Sequence, residues 1–217
     1  MKNLLIKEFK LASSPLSYIF LAGALMTMIP NYPILVGSFF ICFGIFHSFQ
    51  SSREYNDVLY STLLPIKKSD FVRAKFVFTV IIQITGFALC AMLTIIRMAF
   101  LSDSVPYANN ALMNATPYYL SFVLMIFTAF NTVFIGSFFK TAYKIGIPFL
   151  WFGISAFLLI GVAETLHHLP GLSFLNAPAG EKILIRLLIL FAAVVIYSAA
   201  TVLSCRKCER SFEKIDL

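Results

Sequence analysis

Charged side chains are scarce in this sequence. Only 12% of the 217 residues are Asp, Glu, Lys or Arg, whereas soluble domains carry roughly a quarter. Hydrophobic residues make up 59%, Phe alone occurs 24 times, and the mean hydropathy is +0.87. A soluble domain of this length could not bury so much apolar surface, but a bilayer accommodates it because its core is itself an apolar solvent. We therefore predict an all-α, polytopic membrane protein.

Several catalytic and metal-binding motifs are also missing. No G-x-x-x-x-G-K-[ST] segment occurs, so the chain cannot bind ATP through a Walker A loop of its own. His167 and His168 follow Glu164 as E-x-x-H-H, which is a weak metal-binding pattern. Cys205 and Cys208 form a single C-x-x-C, at most half of a zinc site. We predict no catalytic residue and no metal site; an embedded enzyme using His167 and His168 is the alternative.

The net charge of +7 does not indicate nucleic-acid binding. The basic residues are scattered among predicted loops and form no single stripe. In a membrane protein, such basic loops hold the topology instead. We therefore predict no nucleic-acid partner.

Apolar stretches long enough to cross a hydrocarbon core of about 30 Å recur six times. The predicted spans are 13–29, 33–52, 72–96, 118–139, 145–163 and 183–205, in one transmembrane domain of residues 1–217 with a helix at 2–12 and a loop at 53–71. Of the 17 lysines and arginines, only Arg97, Lys182 and Arg186 fall on the second side of this arrangement. The more basic side faces the cytoplasm, so both termini are expected inside.

The uncharged runs within these spans contain no Asp, Glu, Lys or Arg. Proton-coupled carriers usually place an ionisable group at membrane depth. His47, Gln83 and Asn131 are the polar side chains nearest to the span interiors. We expect them to form interhelical hydrogen bonds rather than a proton relay, which argues against ion-coupled transport.

The loop between the second and third spans contains signals for two helices. Asn56 or Asp57 can cap a short helix, since their side-chain oxygens accept bonds from free backbone N–H groups. Pro65 disfavours helical geometry at Leu64, so that helix should end there. Ser69 is a second candidate cap. We predict a short helix over about 57–64, a bend, and a helix that enters the third span.

The short helix presents apolar residues in the most charged loop of the chain. They are Val58, Leu59, Tyr60, Leu63 and Leu64. Apolar residues at such a position need a cover. Either they lie back on the lipid interface and neighbouring helix ends, or a cytoplasmic partner docks on them. The residues alone leave both readings open.

The N-terminal residues 2–12 have an amphipathic pattern. Lys7 and Lys10 fall on one helical stripe, whereas Leu5, Phe9 and Ala12 fall on another. This pattern favours a helix on the cytoplasmic membrane surface with its basic residues facing anionic lipid. A simple extension of the first span is the alternative.

The segment D-V-L-Y-S-T-L-L-P-I-K-K-S-D-F-V-R-A-K resembles the coupling region of type 2 ATP-binding-cassette (ABC) exporter permeases. It is closest to the permeases of phenol-soluble modulin and lantibiotic-immunity exporters, where an L-P-[IV] turn precedes basic residues and a helix ending in A-K. The resemblance implies a coupling helix that docks on a separate ATPase, which binds ATP and Mg. The docking residues it implies are Leu59, Tyr60, Leu63, Leu64, Pro65, Ile66 and Lys67, and the interfacial-helix residues are Leu5, Lys7, Phe9 and Lys10.

The resemblance also implies that this chain is half of a pore. A homodimer is expected first, and a heterodimer with a sister permease second. Spans one and five would face the second chain, where Gly146, Gly153 and Ala156 place small residues, and 166–179 would form short outer helices. The implied activity is export of amphipathic or apolar peptides, toxin-like or bacteriocin-like, across a bacterial cytoplasmic membrane. The alternative is an immunity or assembly protein that binds a partner without transport.

Overall fold

A computed structural model describes residues 2–102, 104–108, 110–141, 144–177 and 182–215, and every regular element in these ranges is a helix. The predicted all-α class is therefore confirmed. The α-helices are α1 (Lys2–Lys7), α2 (Pro15–Ile19), α3 (Val36–Glu54), α4 (Asp57–Leu63), α5 (Lys68–Ile96), α6 (Val105–Ala108), α7 (Pro117–Ala129), α8 (Gly136–Thr141), α9 (Gly146–Leu166) and α10 (Ile183–Glu213). The π-helical turns are Glu8–Ala12, Arg97–Leu101 and Phe130–Ile135, and the 3₁₀ segments are Phe20–Met28 and Ser173–Leu175.

Among the described residues, four continuous helices are long and apolar enough to cross a membrane. They are Lys68–Leu101, Pro117–Thr141, Gly146–Leu166 and Ile183–Glu213. The count rises to five if the bent pair Asn3–Ala12 and Pro15–Met28 is taken as one span. The α3 helix covers the predicted second span, but His47, Gln50 and Arg53 make its second half more polar. The predicted number of six spans thus stays a prediction.

The N-terminal residues are bent rather than continuous. The helix axis turns by 92° between Asn3–Ala12 and Pro15–Met28. Ser14 caps the second helix by accepting a bond from the Leu16 N–H at 3.3 Å, and Pro15 occupies its first turn. The 3₁₀ segment rises about 2.0 Å per residue, against about 1.5 Å in an α-helix. Residues 15–28 consequently span a greater distance than an α-helix with the same number of residues.

Phenylalanine fills the interior of the bundle. Rings of α3, the π turn at Phe130–Ile135 and α9 pack together; Phe46 lies 4.1 Å from Phe149 and Phe130 lies 4.8 Å from Phe134, between ring centroids. The completely buried rings include Phe127, Phe130, Phe134, Phe138, Phe139 and Phe152. The high Phe content therefore builds protein core in these spans, and only some rings face outward.

A polar network crosses this apolar interior. Gln83 of α5 and Asn131 of the π turn exchange two side-chain hydrogen bonds of 2.9 and 3.0 Å. Asn131 also donates to Thr201 of α10, and the Tyr197 hydroxyl donates to Gln83. Gln83 and Asn131 are thus interhelical hydrogen-bonding residues, as expected. His47 instead packs against aromatic rings, 4.6 Å from that of Phe43.

The opposite ends of the bundle differ in charge. At one end Arg97 is buried, donates to the Thr27 carbonyl and to Asn114, and lies over the Tyr107 ring. The other end, here called the basic end, carries α1, α4, the first turns of α5 and the last turns of α10. Its lysines and arginines include Lys7, Lys10, Arg53, Lys67, Lys68, Arg73, Lys75, Lys140, Lys144, Arg206, Lys207, Arg210 and Lys214. The region predicted as outer helices contains the 3₁₀ segment Ser173–Leu175, and its last residues, 178–179, lie outside the described residues.

Candidate functional site at the basic end

The α4 helix is set off from its neighbours by backbone geometry at both ends. Asn56 adopts a left-handed conformation with φ of 52°, which turns the chain away from α3. Leu64 is extended, with ψ of 153°, as expected for a residue before proline. The helix therefore stops at Leu63, one residue short of the predicted end.

The predicted caps of these two helices are corrected by the structure. Neither Asn56 nor Lys67, which precede α4 and α5, makes a side-chain capping bond. Ser69 lies inside the first turn of α5 because the helix begins at Lys68, two residues before the start that a Ser69 cap implies. Asp57 lies in the first turn of α4, where a negative charge is favourable, but its carboxylate binds lysines instead of capping backbone N–H groups.

Four charged residues join α4 to the bundle, and we call them the Lys75 cluster: Lys7, Glu8, Asp57 and Lys75. The Lys75 ammonium lies 2.7 Å from a Glu8 oxygen and 3.1 Å from an Asp57 oxygen. Lys7 lies 2.5 Å from the other Asp57 oxygen and 3.2 Å from Glu8. The cluster has equal numbers of positive and negative charges, and it links α1, α4 and α5.

Hydroxyl groups and aromatic rings complete the surroundings of the cluster. Lys75 donates to the Ser52 hydroxyl at 2.9 Å, and Ser52 in turn donates to Asp57 at 2.9 Å. Ser61 donates to the other Asp57 oxygen at 3.2 Å. The Phe71 ring lies under both ammonium groups, at 5.0 Å from Lys7 and 5.6 Å from Lys75. These contacts compensate for the removal of the charges from water.

Burial and ion pairing act against each other at Asp57. Burial alone would raise the pKa of this carboxyl, but the nearby Lys75 and Lys7 ammonium groups and the Ser52 hydroxyl outweigh it and lower the pKa to about 2. Lys75 and Glu8 are each only 2% exposed. A buried ion pair is costly to break because the remaining partner is left charged and unpaired. The Lys75 cluster therefore fixes the orientation of α4.

This orientation turns the apolar side of α4 outward. Val58 and Ser61 are buried against the bundle, whereas Leu63 is 75% exposed and Tyr60 is 65% exposed. Leu59 and Leu64 are also exposed, as is Pro65, while Ile66 is half-buried and Lys67 is exposed. We call Leu59, Tyr60, Leu63 and Leu64 the α4 surface.

The N-terminal helix is placed differently from the predicted amphipathic arrangement. Leu4, Glu8 and Ala12 are buried, while Leu5 is half-buried. Lys7 points into the Lys75 cluster rather than toward lipid, because Asp57 and Glu8 attract it.

Phe9 and Lys10, the other two residues predicted for the interfacial helix, have different environments. The Phe9 ring packs edge-on against Phe78, with centroids 5.0 Å apart. Lys10 is exposed, and so of the two predicted lipid-facing lysines it alone points away from the cluster.

The predicted small-residue stripe of α9 is divided between two faces. An added methyl group at Gly146 or Gly153 would meet no other atom within 4 Å, so both glycines open outward. Ala156 is completely buried within the chain, on the same side as Phe152 and Ile160. Ala156 therefore does not lie on the outward face of α9. It follows Gly153 by three residues, so its side chain points about 60° away from the direction of Gly153 around the helix axis.

Sequence reasoning missed the Lys75 cluster. Its members come from three separate parts of the sequence, at residues 7–8, 57 and 75, and no local spacing connects Glu8 with Asp57 or Lys75. One signal was present: Glu8 lies four residues from both Leu4 and Ala12, on an otherwise apolar helix face. An acidic residue at such a position indicates a buried basic partner.

The histidines and cysteines lie away from this site. The rings of His167 and His168 are 4.1 Å apart just beyond α9, and Cys205 and Cys208 lie on α10. Within the ranges that the structure describes, no three His, Cys, Asp or Glu side chains come together as a metal site.

Comparison with known proteins gives one family match. The model of the family described as ABC-2 family transporter protein matches residues 3–209, which is nearly the whole chain and includes α4 and the Lys75 cluster. No curated protein and no solved structure matches.

Proposed function

Because this chain belongs to the ABC-2 family of transporter proteins, we propose that it is the permease subunit of an ATP-driven exporter and that α4 docks on a separate ATPase chain. The observation that carries this proposal is the α4 surface, which is exposed while the same helix is held from behind by buried charges. ATP and Mg would be bound by the ATPase, in keeping with the absence of a Walker A loop here.

The Lys75 cluster supports a mechanical role for α4. A conformational change in the ATPase can act on the permease only through contacts that differ between the two states. A movement of α4 would pass to α1 through Lys7 and Glu8, and to α5 through Lys75. Ser52 would pass the same movement to the end of α3.

The basic end would face the cytoplasm of a bacterial cell. This orientation follows from the excess of lysine and arginine at that end. It places both termini and α4 on the side where ATP is available.

A second permease chain would complete the pathway. Gly146 and Gly153 on the outer face of α9 would allow a neighbouring helix to approach closely. A second copy of this chain is the simplest partner, because closed two-fold assemblies are the commonest oligomers.

The proposed substrates are amphipathic or apolar peptides of the toxin or bacteriocin type. Phe-rich spans without a charged residue at their centres support an apolar cargo over a free ion. The resemblance to phenol-soluble modulin and lantibiotic-immunity permeases supports the same class.

The docking claim is tested by Leu63→Asp in cells that contain the cognate ATPase. The variant should insert normally, because Leu63 is 75% exposed and lies outside the bundle. It should lose co-purification of the ATPase, since a carboxylate would be desolvated in an apolar interface. Undiminished co-purification would overturn the docking claim.

Leu169→Asp is the matched control. Leu169 is also an exposed leucine, at 51%, but it follows α9 at the opposite end of the bundle. This variant should retain the ATPase. If both variants lose it, the effect belongs to general damage. ATP turnover by the purified complex should then rise with an amphipathic peptide; turnover that ignores every peptide would favour the immunity or assembly alternative.

A further inference from the structure

A groove between α8 and α10 has a lining suited to the headgroup of a lipid. Its volume is about 320 Å³, and two of its lining residues, Lys140 and Lys207, belong to the basic end. One wall consists of Thr132, Gly136, Ser137 and Lys140, and the other of Ala200, Leu203, Ser204 and Lys207. From these lining residues we propose that the groove binds the headgroup of one anionic phospholipid. The proposal needs only a membrane around the protein and does not depend on an ATPase partner.

Along both walls, the same kinds of side chain follow one another from the basic end toward the middle of the bundle. Each begins at the basic end with a lysine, Lys140 or Lys207, and continues one turn deeper with a serine, Ser137 or Ser204. Ala200 lies two turns deeper than Lys207, about 10 Å along the helix. A phospholipid has the same sequence of groups from its phosphate through its ester oxygens to its acyl chains.

The lysines at the mouth favour a negative ligand. None of the ion pairs among the described residues includes Lys140 or Lys207, and both side chains are exposed. Glu209, an acidic residue close to Lys207 in sequence, is engaged by Arg73 at 2.7 Å. Basic pockets between spanning helices are known to bind anionic headgroups.

The hydroxyl groups below the lysines have distinct roles. Ser204 donates to the Asn131 carbonyl at 2.8 Å, and Thr132 donates to the Thr128 carbonyl at 2.8 Å, so their protons are engaged. Ser137 has no such bond to any residue that the structure describes, and it can donate to a phosphate or ester oxygen. Ser204 can still accept through its remaining lone pair.

Apolar surface beside the groove argues for a lipid rather than a soluble phosphate. Leu203 lines the groove and is 64% exposed, and its neighbour Val202 is also exposed. A small hydrophilic anion would leave this surface without a partner, whereas an acyl chain covers it. The proposal therefore commits to a membrane phospholipid.

The test measures binding of short-chain lipids to the full chain purified in dodecyl maltoside. The probes are dioctanoyl phosphatidylglycerol, dioctanoyl phosphatidylcholine and glycerol 3-phosphate. Phosphatidylglycerol should bind tightest, because it alone combines a net negative charge with acyl chains. Equal binding of the two lipids would overturn the charge argument. Equal binding of glycerol 3-phosphate and phosphatidylglycerol would mean a soluble-anion site and would overturn the lipid assignment.

Two double variants locate the binding. The double variant Lys140→Gln with Lys207→Gln should lower the affinity for phosphatidylglycerol by roughly 25-fold, or about fivefold per lysine. Lys10→Gln with Lys214→Gln removes the same charge from exposed lysines outside the groove, and it should leave the affinity unchanged. Equal weakening by the two pairs would mean attraction to the whole basic end and would contradict a groove site.

A steric variant makes the test independent of charge. Ala200→Leu should narrow the groove at its deep end and lower the affinity for phosphatidylglycerol, although every lysine remains. Unchanged affinity in this variant would place the lipid elsewhere on the protein. Ala199→Leu makes the same change at an exposed alanine of α10 that does not line the groove, and it should leave the affinity unchanged.

Discussion

At the scale of single residues, Lys75 has the largest expected effect on stability. Its ammonium is buried between Glu8 and Asp57. Lys75→Met keeps the length of the side chain but leaves the buried Glu8 carboxylate and the half-buried Asp57 carboxylate without this partner. Breaking a buried ion pair in this way costs about 3–5 kcal/mol. Equilibrium unfolding in mixtures of dodecyl sulfate and dodecyl maltoside would measure the loss.

A second variant separates charge from packing at Lys75. Adding Glu8→Met to Lys75→Met removes the more deeply buried of the two carboxylates, so much of the lost stability should return. Arg73→Met breaks an exposed pair with Glu209 and should change stability little. A double variant as unstable as Lys75→Met alone would contradict the electrostatic explanation.

Asp57 gives the site a predictable response to acid. Its pKa is lowered from 3.8 in an unfolded chain to about 2 in the fold. A lowered carboxyl pKa adds stability that is fully present above the unfolded pKa and is lost as the pH falls through the folded one. The difference in unfolding free energy between the wild type and Asp57→Asn should thus be constant at neutral pH and shrink as the pH falls from about 4 to about 2. Shrinkage that is complete above pH 5 would contradict the ion-pair geometry.

At the scale of elements, the close crossing of α3 with the 3₁₀ segment depends on two glycines. A methyl group on Gly37 would collide with the carbonyl oxygen of Gly23, and one on Gly23 would lie 2.7 Å from the Gly37 oxygen. Because backbone atoms cannot move aside, Gly37→Ala should cost about 1–3 kcal/mol in unfolding free energy. The measurement is the same detergent unfolding experiment.

Gly153→Ala is the control for this crossing, and the expected sign is opposite. No atom outside its own helix turn lies near an added methyl group there. Alanine in a helix interior is more stable than glycine by about 0.5–1 kcal/mol. A neutral Gly37→Ala would contradict the assigned helix crossing, and a destabilising Gly153→Ala would contradict the open space beside Gly153 in the single chain.

Local sequence signals predicted the elements better than their contacts. The bend at Pro65 and the short helix before it follow from backbone preferences, and the structure has a helix at Asp57–Leu63. The predicted caps at Asn56 or Asp57 and at Ser69 were wrong: Asn56 makes no side-chain capping bond, α5 begins before Ser69, and a long-range ion pair takes the Asp57 side chain. Glu8 and Lys75 were missed for the same reason, since contacts between distant residues leave little trace in local spacing.

At the scale of the whole molecule, hydrophobicity predicted the class of fold but not the number of spans. Four long apolar helices and one bent pair occur among the described residues. The 92° bend lies at the boundary between the predicted helix 2–12 and the predicted span 13–29, but the 3₁₀ segment that lengthens this span was not predicted. Hydropathy alone cannot distinguish such a segment from a regular α-helix, because both have the same composition.

The distribution of phenylalanine was likewise not determined by composition. Rings of α3, α8, α9 and the π turn at Phe130–Ile135 pack against one another in the core. Other rings, such as Phe100 and Phe191, are exposed. A bilayer and a protein core are both apolar, so only the helix arrangement decides which rings face which environment.

The central claim is that the α4 surface contacts an ATPase, and photo-crosslinking in living cells tests it most directly. A benzophenone amino acid at position 63 should form an adduct with a Walker A protein, because Leu63 points away from the bundle. The same probe at position 58, where Val58 is buried, or at position 169 should form none. An ATPase adduct from position 63 alone is the predicted result; equal adducts from positions 63 and 169, or none from position 63, would contradict the account.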